Sequence, residues 1–458
     1  MKGLTRLAIS AAMVSTLAAC NSSSSDDSSI SLPPVPPERS AELRVIHAVS
    51  DAPAVDIRLA GTDVVQGLDY AESSEKFTLI AANYAVEVRA ILPGGERATV
   101  IGPATVGLTS QTDHKVFAVG SAADGTIEPL IIADSKTSLA SGNIRLQVVH
   151  ASSAAPDVDI HVTAPGDALS APIATLGFKD YTAPIDVPAG DYQVRITLPG
   201  QDTVVFDSGP LDLAAGTDLV VAAINNRFAG DSPVSLLAVT PDGNFFDVMD
   251  ANSKAAVRVV HGVSDAPAVD VLVNDEIRLV EDLAFPDFTD YLNVDPAEYN
   301  VKVAANADNS IVAIDADLDL AAGIFYSVLA LGSLGEEEIT PLVLLDQPRR
   351  VATEAKVRII HGSFLAPEVD IYVTETADIS EAEPAFSEVP FLAETGYVSL
   401  AAGSYVVSVT VAGTKDVAIG PVTLDLEANT IYTAIARDGD GLTADFGLIL
   451  MDDFVQQD

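Results

Sequence analysis

The sequence predicts an all-β protein built as four tandem antiparallel β-sandwich domains, immunoglobulin-like, of roughly 100 residues each. Three observations predict this. One phrase returns four times, centred on His47, His150, His261 and His361, with Pro53, Pro156, Pro267 and Pro367 six residues on. Asp56, Asp159, Asp270 and Asp370 follow nine residues after each histidine. Short apolar runs are punctuated by turn residues, with no sustained helical period between them. Finally, 48% of the residues are hydrophobic, which is enough to build packed cores and excludes disorder for the bulk of the chain.

Taken in order, the first twenty residues read as an export signal. Lys2 and Arg6 supply its positive start, and residues 7–19 an apolar stretch too short to span a membrane as a helix. The stretch ends in Leu17-Ala18-Ala19-Cys20, and Cys20 is the only cysteine. Small residues before a lone cysteine resemble the cleavage site of a bacterial lipoprotein precursor; the alternative is an ordinary secretory signal. The resemblance implies that residues 1–19 are removed, that Cys20 carries the lipid, and that the membrane is a partner through that N-terminal lipid. Asn21, where an aspartate would signal inner-membrane retention, implies the outer membrane of the cell envelope. Residues 20–40, rich in Ser, Asp and Pro, bury too little apolar surface to fold and read as a disordered, flexible tether. Once Cys20 is acylated, no thiol remains for a disulfide or for cysteine catalysis.

Charge narrows the partners. The 66 acidic residues outnumber the 24 basic ones, for a net charge of −42. Such a surface repels nucleic acid and anionic lipid headgroups and argues against a phosphate-binding role.

The repeats then span residues 41–137, 138–250, 251–350 and 351–458. In the first, apolar runs fall at residues 43–49, 55–59, 77–80, 85–92, 98–108, 115–119 and 127–132. Asp51-Ala52-Pro53, Gly61, Pro93-Gly94-Gly95, Gly102-Pro103 and Asp124-Gly125 break them. Tyrosine-led strands recur at Tyr84, Tyr192, Tyr299 and Tyr405. The polar linkers 134–142, 249–256 and 346–356 are brief, so the repeats are expected to sit like beads with modest contacts.

The opening phrase, carried by Arg44-Val45-Ile46-His47 through Asp56 and by its counterparts around His261 and His361, resembles the bacterial domain of unknown function numbered 4397. The later tyrosine and the Ala-Gly-x-Tyr form, as in Ala402-Gly403-Ser404-Tyr405, fit the same family. Gln147 departs from its arginine, and Ala82-Asn83-Tyr84 from its Ala-Gly-x-Tyr. The resemblance covers nearly all of residues 41–458. It implies a cell-envelope β domain, often found in lipoproteins and in tandem, without a settled activity or site.

Strand parity suggests what the repeated residues do. Leu43, Val45 and His47 share one face of the first strand, and Arg44 and Ile46 the other. If the first two strands pair as a hairpin around Asp51 to Pro53, Arg44 meets Asp56 on an outer face, as Arg258 would Asp270 and Arg358 would Asp370. Gln147 would then hydrogen-bond Asp159. Each signature histidine falls on the core side near a strand end, where its ring can tie loop backbone: a structural role. A transition-metal site would need more ligands than one histidine per repeat, with His114 and His161 as singletons. Calcium is better served by carboxylates such as Asp51 and Asp265, or by Asp438-Gly439-Asp440-Gly441, though that stretch lacks EF-hand spacing. No nucleophile elbow, zinc-protease motif or phosphate loop occurs. Ser50, His47 and Asp51 are neighbours that point to different faces and do not make a triad. The chain lacks tryptophan, the usual platform for sugars.

The expectation is therefore a non-enzymatic, lipid-anchored cell-envelope protein, with no catalytic residues and no cofactor. It would be a scaffold or an adhesion module for a protein or glycan partner. The alternative is a ligand- or calcium-binding envelope protein with sites in the domain loops.

Overall fold

The computed structural model describes residues 39–454; Cys20, residues 1–19 and nearly all of the tether lie outside them. The regular structure of the described chain is almost entirely β-strand, and its strands form eight sheets, two to each repeat. In the first repeat the strands are β1 (Ser40–His47), β2 (Val55–Leu59), β3 (Thr62–Leu68), β4 (Glu72–Ser73), β5 (Phe77–Ile80) and β6 (Asn83–Ile91). They continue with β7 (Arg97–Gly107), β8 (Thr112–Val119) and β9 (Glu128–Ser135). One sheet runs β4-β1-β8-β9 with β5 also on β1; the other runs β3-β2-β6-β7. The two close on Leu43, Val45, Val55, Ile57, Val88 and Val116, the core of a β-sandwich.

The expected hairpin is not formed. β1 and β2 belong to opposite sheets, so residues 48–54 make an arch across the sandwich instead of a turn within one sheet. β1 pairs in parallel with β8, with Val45 opposite Val116 and His47 opposite Ala118. The same parallel pairing joins Asn143–His150 to Asp218–Asn225, Ala255–His261 to Phe325–Ser333 and Ala355–His361 to Thr430–Gly439. All other pairings between strands are antiparallel among the described residues. Parallel pairs are stable where both faces are covered, and β1 is covered on both. Its second face carries Ile46, which is 1% exposed.

What covers that face is the next repeat. Ile46, Phe117 and Ile132 of the first repeat pack against Val149, Val220 and Leu237 of the second in one continuous core. Val260, Leu329 and Leu344 of the third meet Ile360, Ile435 and Ile449 of the fourth in the same way. The repeats are thus fused in two pairs, which corrects the expectation of beads with modest contacts. Each fully buried Ile, Leu or Phe side chain contributes about 1.5–3 kcal/mol, so these seams are comparable to domain interiors.

The pairs also touch one another. The Ala229 amide donates to Gly323 O at 3.0 Å, joining repeats two and three. Arg349, between repeats three and four, reaches Asp69 at 2.8 Å and the carbonyls of Ser50 and Ala52 at 3.4 and 3.3 Å, and Ala352 N donates to Asp51 O at 2.7 Å. Within β7, Gly102 at φ +88° sits where the pairing with β6 slips register, and a side chain there would strike the Val86 carbonyl.

Candidate functional site

The four signature histidines end the first strand of each repeat, at the foot of the arch, and each is 1–2% exposed. His47 Nε2 lies 3.1 Å from Pro53 O, His150 Nε2 2.9 Å from Pro156 O, and His261 and His361 Nε2 3.0 Å from Pro267 O and Pro367 O. A carbonyl only accepts, so Nε2 carries the proton and donates. On the other side of the ring, Val49 N donates to His47 Nδ1 and Val263 N to His261 Nδ1, both at 3.3 Å. An N–H donor on Nδ1 and a carbonyl on Nε2 together specify the neutral imidazole. Burial pushes His47 and His261 below their ordinary value, outweighing the pull of the proline carbonyls. Tyr70, Phe285 and Phe391 meet the rings of His47, His261 and His361 edge-on. The imidazole is therefore a clasp across the arch.

The signature aspartates do not meet the signature arginines; this corrects the pairs Arg44–Asp56, Arg258–Asp270 and Arg358–Asp370 and the bond from Gln147 to Asp159. The reason is the arch, which carries the two strands into different sheets. Asp56 instead accepts from Gly67 N at 3.1 Å and from Arg97, and Asp270 accepts from Asp282 N and Asn306, both at 3.0 Å. Asp370 accepts from Glu388 N at 2.9 Å and Gly413 N at 2.8 Å. In these three repeats the aspartate sits where the second strand slips register against its neighbour, and it satisfies an amide the bulge would leave bare. Burial raises Asp56 and Asp270, but for Asp56 the Arg97 and Gly67 donors, and for Asp270 Asn306 and the Asp282 amide, hold each below the usual carboxylate value. In the second repeat the pairing has no slip, and Thr175 and Gly200 N hold Asp159 instead.

The carboxylates considered for calcium are committed to donors. Asp51 accepts from Ser121 Oγ and Ala122 N at 2.8 Å and from Ala123 N at 3.0 Å. Asp265 accepts from Ser333 Oγ, Leu334 N and Gly335 N, all at 2.9 Å. Asp438 holds Ser363 Oγ, Phe364 N and Leu365 N. Among the described residues no group of three or more His, Cys, Asp or Glu is arranged to hold a metal ion. His114 bonds Glu42 O and Thr109 N, and His161 bonds Ser170 O and Thr197 Oγ1. Ser50 accepts from Asn225 Nδ2, so Ser50, His47 and Asp51 face separate partners.

These loop ties alternate. Repeats one and three place the gripping aspartate in the arch, as Val-Ser-Asp at 49–51 and 263–265. Repeats two and four place Ser152 and Ser363 there and grip from the far strand, with Asn225 and Asp438. That difference is written in the sequence and marks the two-repeat pair as the unit.

Sequence reasoning missed the charged seam between repeats three and four. Arg258 crosses to Asp452 at 2.6 Å, and Arg358 crosses back to Asp346 at 2.7 Å. Asp346 also accepts from Ser327 and Tyr291, and Asp452 from Thr433. Arg258 stacks over Tyr291 and Arg358 over Tyr397. Burial, and then the charge of Asp346, push the Tyr397 hydroxyl up to about 12. The opposing faces of one strand were the available signal: an arginine beside Ile or Val on the face read as outward.

No curated protein matches the chain. Among solved structures it is similar to the Bacillus anthracis TIE protein, at 12% identity over 87% of this chain and 68% of that one, with a TM-score of 0.14. The family described as "Domain of unknown function (DUF4397)" matches residues 41–161, 255–372 and 374–458. Two of these stretches begin at the odd-numbered repeats and run through the arch of the following one. Together they cover more than half of the sequence, and the chain belongs to the DUF4397 family.

Proposed function

We propose that this is a non-enzymatic, lipid-anchored cell-envelope protein whose paired sandwiches serve as a scaffold or interaction module, held through Cys20 at the head of the tether 20–40. One observation carries the reading. The polar residues that recur in every repeat are spent on holding the fold: each imidazole clasps an arch, and each signature carboxylate holds loop donors. A chain that repeats its chemistry-bearing residues four times in this way has been built for rigid presentation. Outer-membrane placement follows from Asn21, and the partner is a protein or a glycan met by loops of an acidic surface. Among the described residues no helix is long and apolar enough to cross a membrane.

Replacing Cys20 with Ser tests the anchor: the variant is expected in the soluble fraction of a lysed cell, and continued sedimentation with membranes overturns lipid attachment. Calcium tests the module. A melting temperature unchanged by calcium and by chelator fits the scaffold; a calcium-dependent rise that chelator reverses favours cation binding in the loops.

A further inference from the structure

The second repeat is hollow. Between its sheets lies a cavity of about 260 Å³, with Val148, Val221 and Ala223 on one wall and Ile160, Val194 and Leu211 on the other. All of its lining residues are apolar except Tyr192, whose hydroxyl is turned to Pro188 O at 2.6 Å. Protein interiors rarely keep voids much larger than a water molecule. A water here would need two to four polar partners, which the walls do not offer. An engineered apolar cavity of about 150 Å³ stays dry and binds benzene, and this one is larger.

Its shape selects the occupant. The walls are two facing sheets, so the space is a slot. Apolar side chains stand exposed at both flanks: Ile173 (46%) just before the edge strand Ala174–Leu176 and Ile185 (37%) in the edge strand Ile185–Pro188, and Phe246 (47%) in the edge strand Phe245–Val248 at the other side. A slot that is narrow between sheets and apolar at both rims fits a straight chain better than a ring system, and it is smaller than the ~300–1,000 Å³ of a drug-sized site. The net charge of −42 disfavours an anionic head group in the adjoining water. We propose that the second repeat binds one hydrocarbon chain of a free neutral lipid, such as a fatty alcohol, between its two sheets. This site lies inside the sandwich and does not depend on the loops or on the anchor.

The test uses the full chain carrying Cys20→Ser, which has no cysteine left to acylate and needs no detergent. The neutral straight-chain fluorescent probe cis-parinaryl alcohol is expected to bind saturably and to be displaced by dodecanol. Ala223→Leu fills the slot and is expected to remove one equivalent of bound probe. Absence of saturable binding, or a stoichiometry unchanged by Ala223→Leu, overturns the proposal. Should Ala223→Leu fail to fold, Val194→Cys in the same background places a single thiol on the wall. Its reaction with a maleimide is expected to slow at least tenfold with dodecanol, and an unchanged rate overturns the site.

Discussion

The seam between repeats one and two and the seam between repeats three and four occupy the same place in the fold and are closed by different physics. The first joins fourteen buried apolar residues, with Arg44 bonding Asp113 on its own repeat and the Thr240 carbonyl across the seam. The second joins only eight, and adds two reciprocal arginine–aspartate pairs that cross between repeats. Where the second repeat carries Gln147, the fourth carries Arg358, and each residue bonds accordingly: Gln147 reaches Thr182 O in its own repeat, while Arg358 reaches across. The lesson is that one sheet face can be mated either by area or by matched charge. The charged solution depends more steeply on each partner, because a buried ion left alone is costly.

That contrast can be broken most directly at Asp346. Asp346→Ala leaves Arg358 buried without its close partner and takes an acceptor from Tyr291 and Ser327. It should destabilise the repeat three–four pair by about 3–5 kcal/mol. Denaturant unfolding should then show this pair melting ahead of the first; a loss below about 1 kcal/mol would remove the distinction between the seams. Leu237→Ala, at a fully buried position of the apolar seam, should cost about 2–5 kcal/mol through lost transfer and cavity energy, and should act on the first pair alone.

The arch clasp is common to both pairs and should be indifferent to the seam. His47→Leu and His261→Leu each leave a proline carbonyl without its donor, at about 1–3 kcal/mol apiece. Both rings titrate below the ordinary value of 6.5 when folded, so the unfolded chain takes up protons first. Their contribution is complete above about pH 6.5 and is lost as pH falls toward the depressed folded value. Melting temperature should drop between pH 7 and 5, and the drop should shrink in the double variant; an equal drop in both would separate it from these rings. The smallest effect belongs to the exposed pair Lys179–Glu128, which also crosses the first seam, at 2.6 Å. Lys179→Ala should change stability by about 0–1 kcal/mol, and a larger loss would mean that charge matters at this seam too.

The sequence makes the repeats legible because their cores require a period-two pattern and their arches require His and Pro at fixed spacing. It also makes the clasp legible in part: a histidine at the end of an apolar strand needs a partner, and the loop is the nearest one. The sheet assignment was not legible. An alternating strand followed by a proline turn fits a hairpin and an arch equally well, since both put Val45 and Val55 in one core. The clue that separates them is the second face. Ile46 on β1 and Phe117 on β8 make those strands apolar on both sides, as strands buried on both faces are. Arg44 drew the eye toward solvent, whereas at 2% exposure its guanidinium is enclosed by Asp113 and a carbonyl of the next repeat.

Arg349 has a consequence for how the protein is made. It completes the surroundings of the first arch from 299 positions further along the chain, stacking on Tyr70 while bonding Ser50 and Asp69. A nascent polypeptide that emerges amino end first therefore leaves its opening loop unfinished until translation is three-quarters done. Loss of the carboxyl-terminal part from Arg349 onward, by truncation or by a protease, would be felt at the first arch, far away in sequence but adjacent in space.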